Sequence, residues 1–80
     1  MAVVTVRLFA ALREIAGASE VEAQGSDAGE VLDALAARFG ERFERLARAG
    51  SIIVDGERAG PATQLAGGES VAVLPPVSGG

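Results

Sequence analysis

Histidine, cysteine, lysine, tryptophan, tyrosine and asparagine do not occur in this 80-residue chain. Each absence removes a kind of chemistry. Without imidazole or thiol there is no ordinary metal cluster, no Cys–His pair and no Ser–His–Asp triad. Without lysine there is no Schiff base, and copies of the chain cannot be linked to one another through its own side chains. No disulfide can form, which fits a reducing compartment. No stretch approaches the ~20 consecutive apolar residues that span a bilayer. Basic charge is scarce as well: seven arginines face eleven acidic residues, for a net charge of −4. That balance argues against a nucleic-acid or anionic-membrane partner. The chemistry left to the chain is carboxylates, a few hydroxyls and the termini. The expectation is therefore a protein that binds no metal or cofactor and is not an enzyme on its own.

What is present suits one small domain. Hydrophobic residues make up 49% of the chain, and 16 residues are alanine, so the core is expected to consist of small aliphatics. A domain of this size buries roughly 60–65% of its unfolded surface, which implies modest stability. The apolar run from Ala2 to Leu12, followed by Ala16-Gly17-Ala18, imitates a secretion signal. Arg7 interrupts the run and no basic region precedes it, so it reads instead as the first strand of a cytoplasmic protein.

From Val3 to Phe9 the residues alternate, with Val4, Val6 and Leu8 on the core face and Phe9 on the outer face. A short helix is predicted over Ala10 to Ala16, closed by Gly17, and a charged edge strand over Glu20 to Gln24. Asp27 to Phe39 reads as the main helix. Asp27 and Glu30 have capping-box spacing, and Ala28, Val31, Leu32, Leu35, Ala36 and Phe39 form one apolar stripe. Gly29 weakens its first turn by up to ~1 kcal/mol. After Gly40 a further turn or two runs from Glu41 to Arg48, with Phe43 and Leu46 tucked in. Ile52-Ile53-Val54 before Asp55-Gly56 is a hairpin signal, because Asp-Gly suits a type I′ turn. A weak strand or loop follows as far as Leu65. Ser70 to Leu74 is the last strand, and Pro75-Pro76 ends it, since neither proline can donate to a ladder. Strands on either side of a long helix pair in parallel through a right-handed crossover. The first and last strands are thus neighbours in an α+β domain, a mixed sheet packed on one main helix with short extra helices.

Three constellations compete for function. The ending Pro75-Pro76-Val77-Ser78-Gly79-Gly80 is the most informative. Residues 1–74 make the folded domain, and residues 75–80 make a tail that reaches on the order of 20 Å when extended. Gly79 and Gly80 have no side chains, so they can thread a narrow channel in another protein. ATP can convert the Gly80 carboxylate to an acyl-adenylate, and a sulfur donor can then make it a thiocarboxylate. Phe9 and Leu74 form the second constellation. Parity puts both on the outer face of neighbouring strands, with Arg13 close by, as a docking patch beside the tail. The third is electrostatic. Arg38, Arg42 and Arg45 would line one stripe of a continuous helix, but Glu41 and Glu44 stand four residues before Arg45 and Arg48, which favours a salt-bridged solvated face. Asp27, Glu30 and Asp33 fit a helix N-terminus better than a metal site.

The ending Val73-Leu74-Pro75-Pro76-Val77-Ser78-Gly79-Gly80 resembles the small subunit of molybdopterin synthase, a ubiquitin-like sulfur carrier of the MoaD/ThiS family. Val6-Arg7-Leu8-Phe9-Ala10 leading to Leu12-Arg13-Glu14-Ile15-Ala16-Gly17, the hairpin Val54-Asp55-Gly56, and Leu65 followed by Gly67-Gly68-Glu69 and Val71 are similar to further segments of that family. The resemblance implies a β-grasp fold. It implies that a ubiquitin-activating-like adenylyltransferase uses ATP to adenylate Gly80, which becomes a thiocarboxylate. The tail, Pro75 to Gly79, then threads the active site of the large synthase subunit, two copies of each subunit forming the complex. There the sulfur is donated to cyclic pyranopterin monophosphate, and two rounds build molybdopterin. Phe9, Arg13 and Leu74 match positions at the subunit interface. Leu74 replaces a common Phe, and Arg58 and its neighbours are more polar than usual. A sulfur carrier for thiamine, cysteine or tRNA thiolation shares the Gly-Gly ending, and so does a ubiquitin-like protein modifier.

Overall fold

The computed structural model describes residues 2–76. The chain runs β1 (Ala2–Leu8), α1 (Ala10–Ala16), β2 (Glu20–Gly25), α2 (Ala28–Phe39), α3 (Glu41–Ala49), β3 (Ser51–Val54), β4 (Glu57–Ala59) and β5 (Ser70–Leu74). The five strands form one sheet in the order β2-β1-β5-β3-β4. β1 and β5 pair in parallel, and the other neighbours are antiparallel. This is the expected α+β arrangement, the β-grasp, with the first and last strands side by side at its centre.

Strict alternation builds β1. Ala2, Val4, Val6 and Leu8 are buried while Val3, Thr5 and Arg7 are exposed. Val71 and Val73 of β5 continue the same inner face and meet Val31 and Leu35 of α2 and Phe43 of α3 in one core. Phe43 is fully buried, and its ring centroid lies 5.1 Å from that of Phe39. Among the described residues, every buried side chain is apolar. The hydrophobic effect therefore holds this domain with little help from buried polar contacts.

The main helix starts as its spacing predicts. The Asp27 carboxylate accepts the Glu30 N–H at 2.8 Å, and the Glu30 carboxylate accepts the Ser26 N–H at 2.6 Å. Two more N–H groups of its first turn, on Ala28 and Gly29, donate to the carbonyls of Thr63 and Pro61. A side chain at position 29 would press on that Pro61 carbonyl, 3.1 Å from its Cβ. The low helix propensity of Gly29 thus accompanies a close approach of the loop 60–65. The same loop pairs Gln64 with Asp27 in an isolated bridge.

As expected, the main helix ends at Gly40, so Arg38, Arg42 and Arg45 do not share one continuous helix. Gly40 has φ 97°, a backbone conformation that closes α2 and opens α3 in a new direction. Arg38 instead reaches the Glu22 carbonyl on β2 and lies over the Phe39 ring at 5.0 Å. Arg45 pairs with Glu41, and Arg48 with both Glu44 and Asp33. The salt-bridged solvated face is what forms.

Candidate functional site: the outer sheet face and the root of the tail

In the β1–β5 ladder Arg7 stands opposite Ala72 and Leu8 opposite Val73. One step further places Phe9 opposite Leu74. Phe9 keeps extended backbone (φ −129°, ψ 151°), so it continues the strand before α1 begins. Its side chain is 40% exposed, and Leu74 is half-buried. Ala10 then takes φ 52°, an uncommon conformation for a residue with a Cβ, and turns the chain sharply into α1. Arg13 lies one helical turn beyond Phe9. The two share a depression of about 190 Å³ with Arg7, Leu8, Ser19 and Glu20. Arg7 is held there by Glu20 at 3.3 Å. Of the three residues expected at an interface, the structure thus sets Phe9 and Arg13 in one depression on the β2 side of β1, while Leu74 lies on the other flank, on β5.

Sequence reading missed part of this face. Ile53 of β3 stands opposite Ala72, so the apolar surface extends across β5 toward the hairpin. Val3, at the other end of β1, is 46% exposed, on the outer face where the alternation puts it. The alternation of β1 signalled Val3. The short run Ile52-Ile53-Val54 gave no parity until its register was known.

The root of the tail is firmly placed. β5 is clamped at its start by reciprocal contacts: the Ser70 N–H donates to the Asp55 carboxylate at 2.9 Å, and the Asp55 N–H donates to the Ser70 carbonyl at 2.8 Å. Asp55 and Gly56 form the predicted hairpin turn, with φ 49° and 83°. At the other end Ser51 stands opposite Leu74, the last pair of the ladder. Pro75 is half-buried and Pro76 exposed. The remaining site residues, Val77, Ser78, Gly79 and Gly80, lie outside the described residues.

The turn that feeds β5 is held by a single carboxylate. The Glu69 carboxylate accepts the N–H groups of Ala66 and Gly67 at 2.6 and 2.7 Å. These bonds favour the charged form and hold its pKa below the ordinary carboxylate value. A group with a lowered folded pKa stabilises the fold above its unfolded pKa, and that contribution fades as pH falls through the folded value. Stability measured by urea unfolding is therefore expected to drop below about pH 5. Glu69→Gln should flatten that slope; an unchanged pH profile would show that Glu69 does not set it.

Asp27, Glu30 and Asp33 are engaged by the α2 cap and by Arg48. Among the described residues, no three metal-ligating side chains converge. Among the described residues no helix is long and apolar enough to cross a membrane.

The model of the ThiS family matches residues 6–80. The chain belongs to the ThiS family. No curated protein matches it. Among solved structures it is similar to small archaeal modifier protein 1 of Methanosarcina acetivorans, at 30% identity over 100% of this chain and 98% of that one, with a TM-score of 0.88. CysO of Mycobacterium tuberculosis, described as an antigen, is 34% identical over 92% of this chain and 99% of its own, with a TM-score of 0.78. A complex of subunits 1 and 2 of the molybdopterin-converting factor from Helicobacter pylori contains a chain 25% identical, over 98% and 99%, with a TM-score of 0.62. The chain is thus a small ubiquitin-like sulfur carrier of the ThiS family, with neighbours in several branches.

Proposed function

We propose that the chain is the sulfur-carrier subunit of molybdopterin synthase. The sequence Leu74-Pro75-Pro76-Val77-Ser78-Gly79-Gly80, rooted beside the Phe9–Leu74 patch, carries the reading. In the first step a Gly80 carboxylate oxygen attacks the α-phosphorus of ATP, giving acyl-adenylate and pyrophosphate on a ubiquitin-activating-like adenylyltransferase. A sulfur donor displaces AMP and leaves a thiocarboxylate. Phe9, Arg13 and Leu74 dock the domain on the large synthase subunit, and Pro75 to Gly79 deliver the sulfur into its active site. Cyclic pyranopterin monophosphate receives it there, in a complex with two copies of each subunit. The large subunit supplies the acid and base, since this chain offers no histidine, lysine or cysteine. The work takes place in the cytoplasm.

The identity of 34% to CysO favours one rival, sulfur carriage toward cysteine, and the likeness to an archaeal modifier another, attachment to lysines of other proteins. One experiment separates them. The chain is incubated with its activating enzyme, ATP and a sulfur source, and its intact mass is taken. The oxygen-to-sulfur shift is expected, followed by transfer to the pterin precursor only when the large subunit is added. A chain that never gains sulfur would sink every carrier reading. One that gains sulfur but transfers it only to a cysteine precursor, or forms amides with lysines, would move the chain to that branch.

A further inference from the structure

Gly50 closes α3 and stands immediately before β3. Its N–H donates to the carbonyls of Leu46 and Ala47 at 3.1 and 3.3 Å. Its φ is −93°, so the left-handed region does not explain why glycine is here. Space does. A Cβ at this position would lie 1.8 Å from the carbonyl oxygen of Leu74 and 2.8 Å from the carbonyl carbons of Leu74 and Pro75. All three are backbone atoms, which cannot swing aside as the tip of a side chain can. We infer that Gly50 is a positioning residue for the tail: its missing side chain leaves the gap through which the Leu74–Pro75 backbone passes, and so fixes the direction in which the chain leaves the sheet.

The core decides which side yields when that gap is filled. Upstream, Val71 and Val73 are fully buried and paired on both flanks. Downstream, Pro75 and Pro76 donate no ladder hydrogen bond. The Leu74 carbonyl and Pro75 are therefore the parts that move. Gly80 is the sixth residue after Leu74, so the direction set at the root bears on where the chain delivers it. Its consequence for transfer rests on the sulfur-carrier reading above. Misplacing a reacting group by about 1 Å can cost up to 10²-fold in rate.

Gly50→Ala and Gly50→Ser are compared with the wild type and with Val31→Ala, a destabilising change in α2 away from the tail. Adenylation is followed as ATP-dependent pyrophosphate release with the activating enzyme. Both Gly50 variants should lose about tenfold in kcat, equally, because any Cβ fills the gap. Val31→Ala should keep its kcat. The carbonyl-carbon NMR shift of Leu74 should move in the Gly50 variants alone. A wild-type kcat in Gly50→Ala, or an equal loss in Val31→Ala, would overturn the inference. If Gly50→Ala does not fold, Pro75→Gly loosens the same junction without adding an atom; the same kcat loss supports the inference and a wild-type kcat overturns it. If the wild type itself is never adenylated, the carrier reading falls and the NMR shifts decide: changes confined to residues 74–76 support the role of Gly50, and wild-type shifts there end it.

Discussion

Removal of Gly80 is expected to abolish sulfur loading and leave the melting temperature unchanged. On the sulfur-carrier reading proposed above, the reactive group is the Gly80 carboxylate, and its reach from the domain depends on residue count. One residue of extended chain spans about 3.3–3.6 Å, comparable with the separation of atoms poised to react, about 3–3.5 Å. A chain one residue short therefore presents its carboxylate a full contact distance from the α-phosphate of ATP. One residue added after Gly80 fails for the complementary reason. The core is complete by Val73 and the last ladder pair is at Leu74, so folding does not need residue 80. Intact mass after incubation with activating enzyme, ATP and sulfur source checks the first half, and a thermal melt the second. Sulfur gained by the shortened chain at the wild-type rate would refute the assignment of Gly80.

What the sequence made legible was local. The alternation of β1, the capping box of α2 and the Asp55-Gly56 turn each depend on neighbours within a few residues, and each is found where the pattern puts it. The neighbouring positions of Phe9 and Leu74 needed only one further step. Parity placed Phe9 and Leu74 on the outer face, and the crossover rule placed their strands side by side. Features that depend on distant parts of the chain stayed hidden. Gly50 reads as a helix stop, and only the approach of Leu74 and Pro75, 24 and 25 residues later, shows why nothing larger fits. Gly29 reads as a weak point in a helix until Pro61 is seen against it. Arg38 is drawn to a carbonyl of β2, 16 residues before it.

Phe9→Ala is expected to weaken binding to the large synthase subunit by about 30-fold, a loss of about 2 kcal/mol, while costing the free domain about 1 kcal/mol or less. The asymmetry follows from where the ring stands. At 40% exposed it is already partly in water, so truncation leaves no cavity in the core. In a complex the same ring would be desolvated beside Leu74 and the stem of Arg13, the central placement at which aromatic residues contribute most. Leu74→Ala should show a smaller binding loss and a larger stability cost, because Leu74 is half-buried and lies between β1 and β3. Arg13→Ala should act mainly on the association rate and its salt dependence, as rim charges do. Calorimetric titration at two salt concentrations, with thermal melts of each variant, distinguishes these effects. If Phe9→Ala binds with wild-type affinity, the outer face is not the docking surface, even for a chain that still gains sulfur at Gly80. The tail and the patch are separate claims: the tail rests on the chemistry of one carboxylate, and the patch on the register that sets Phe9 beside Leu74.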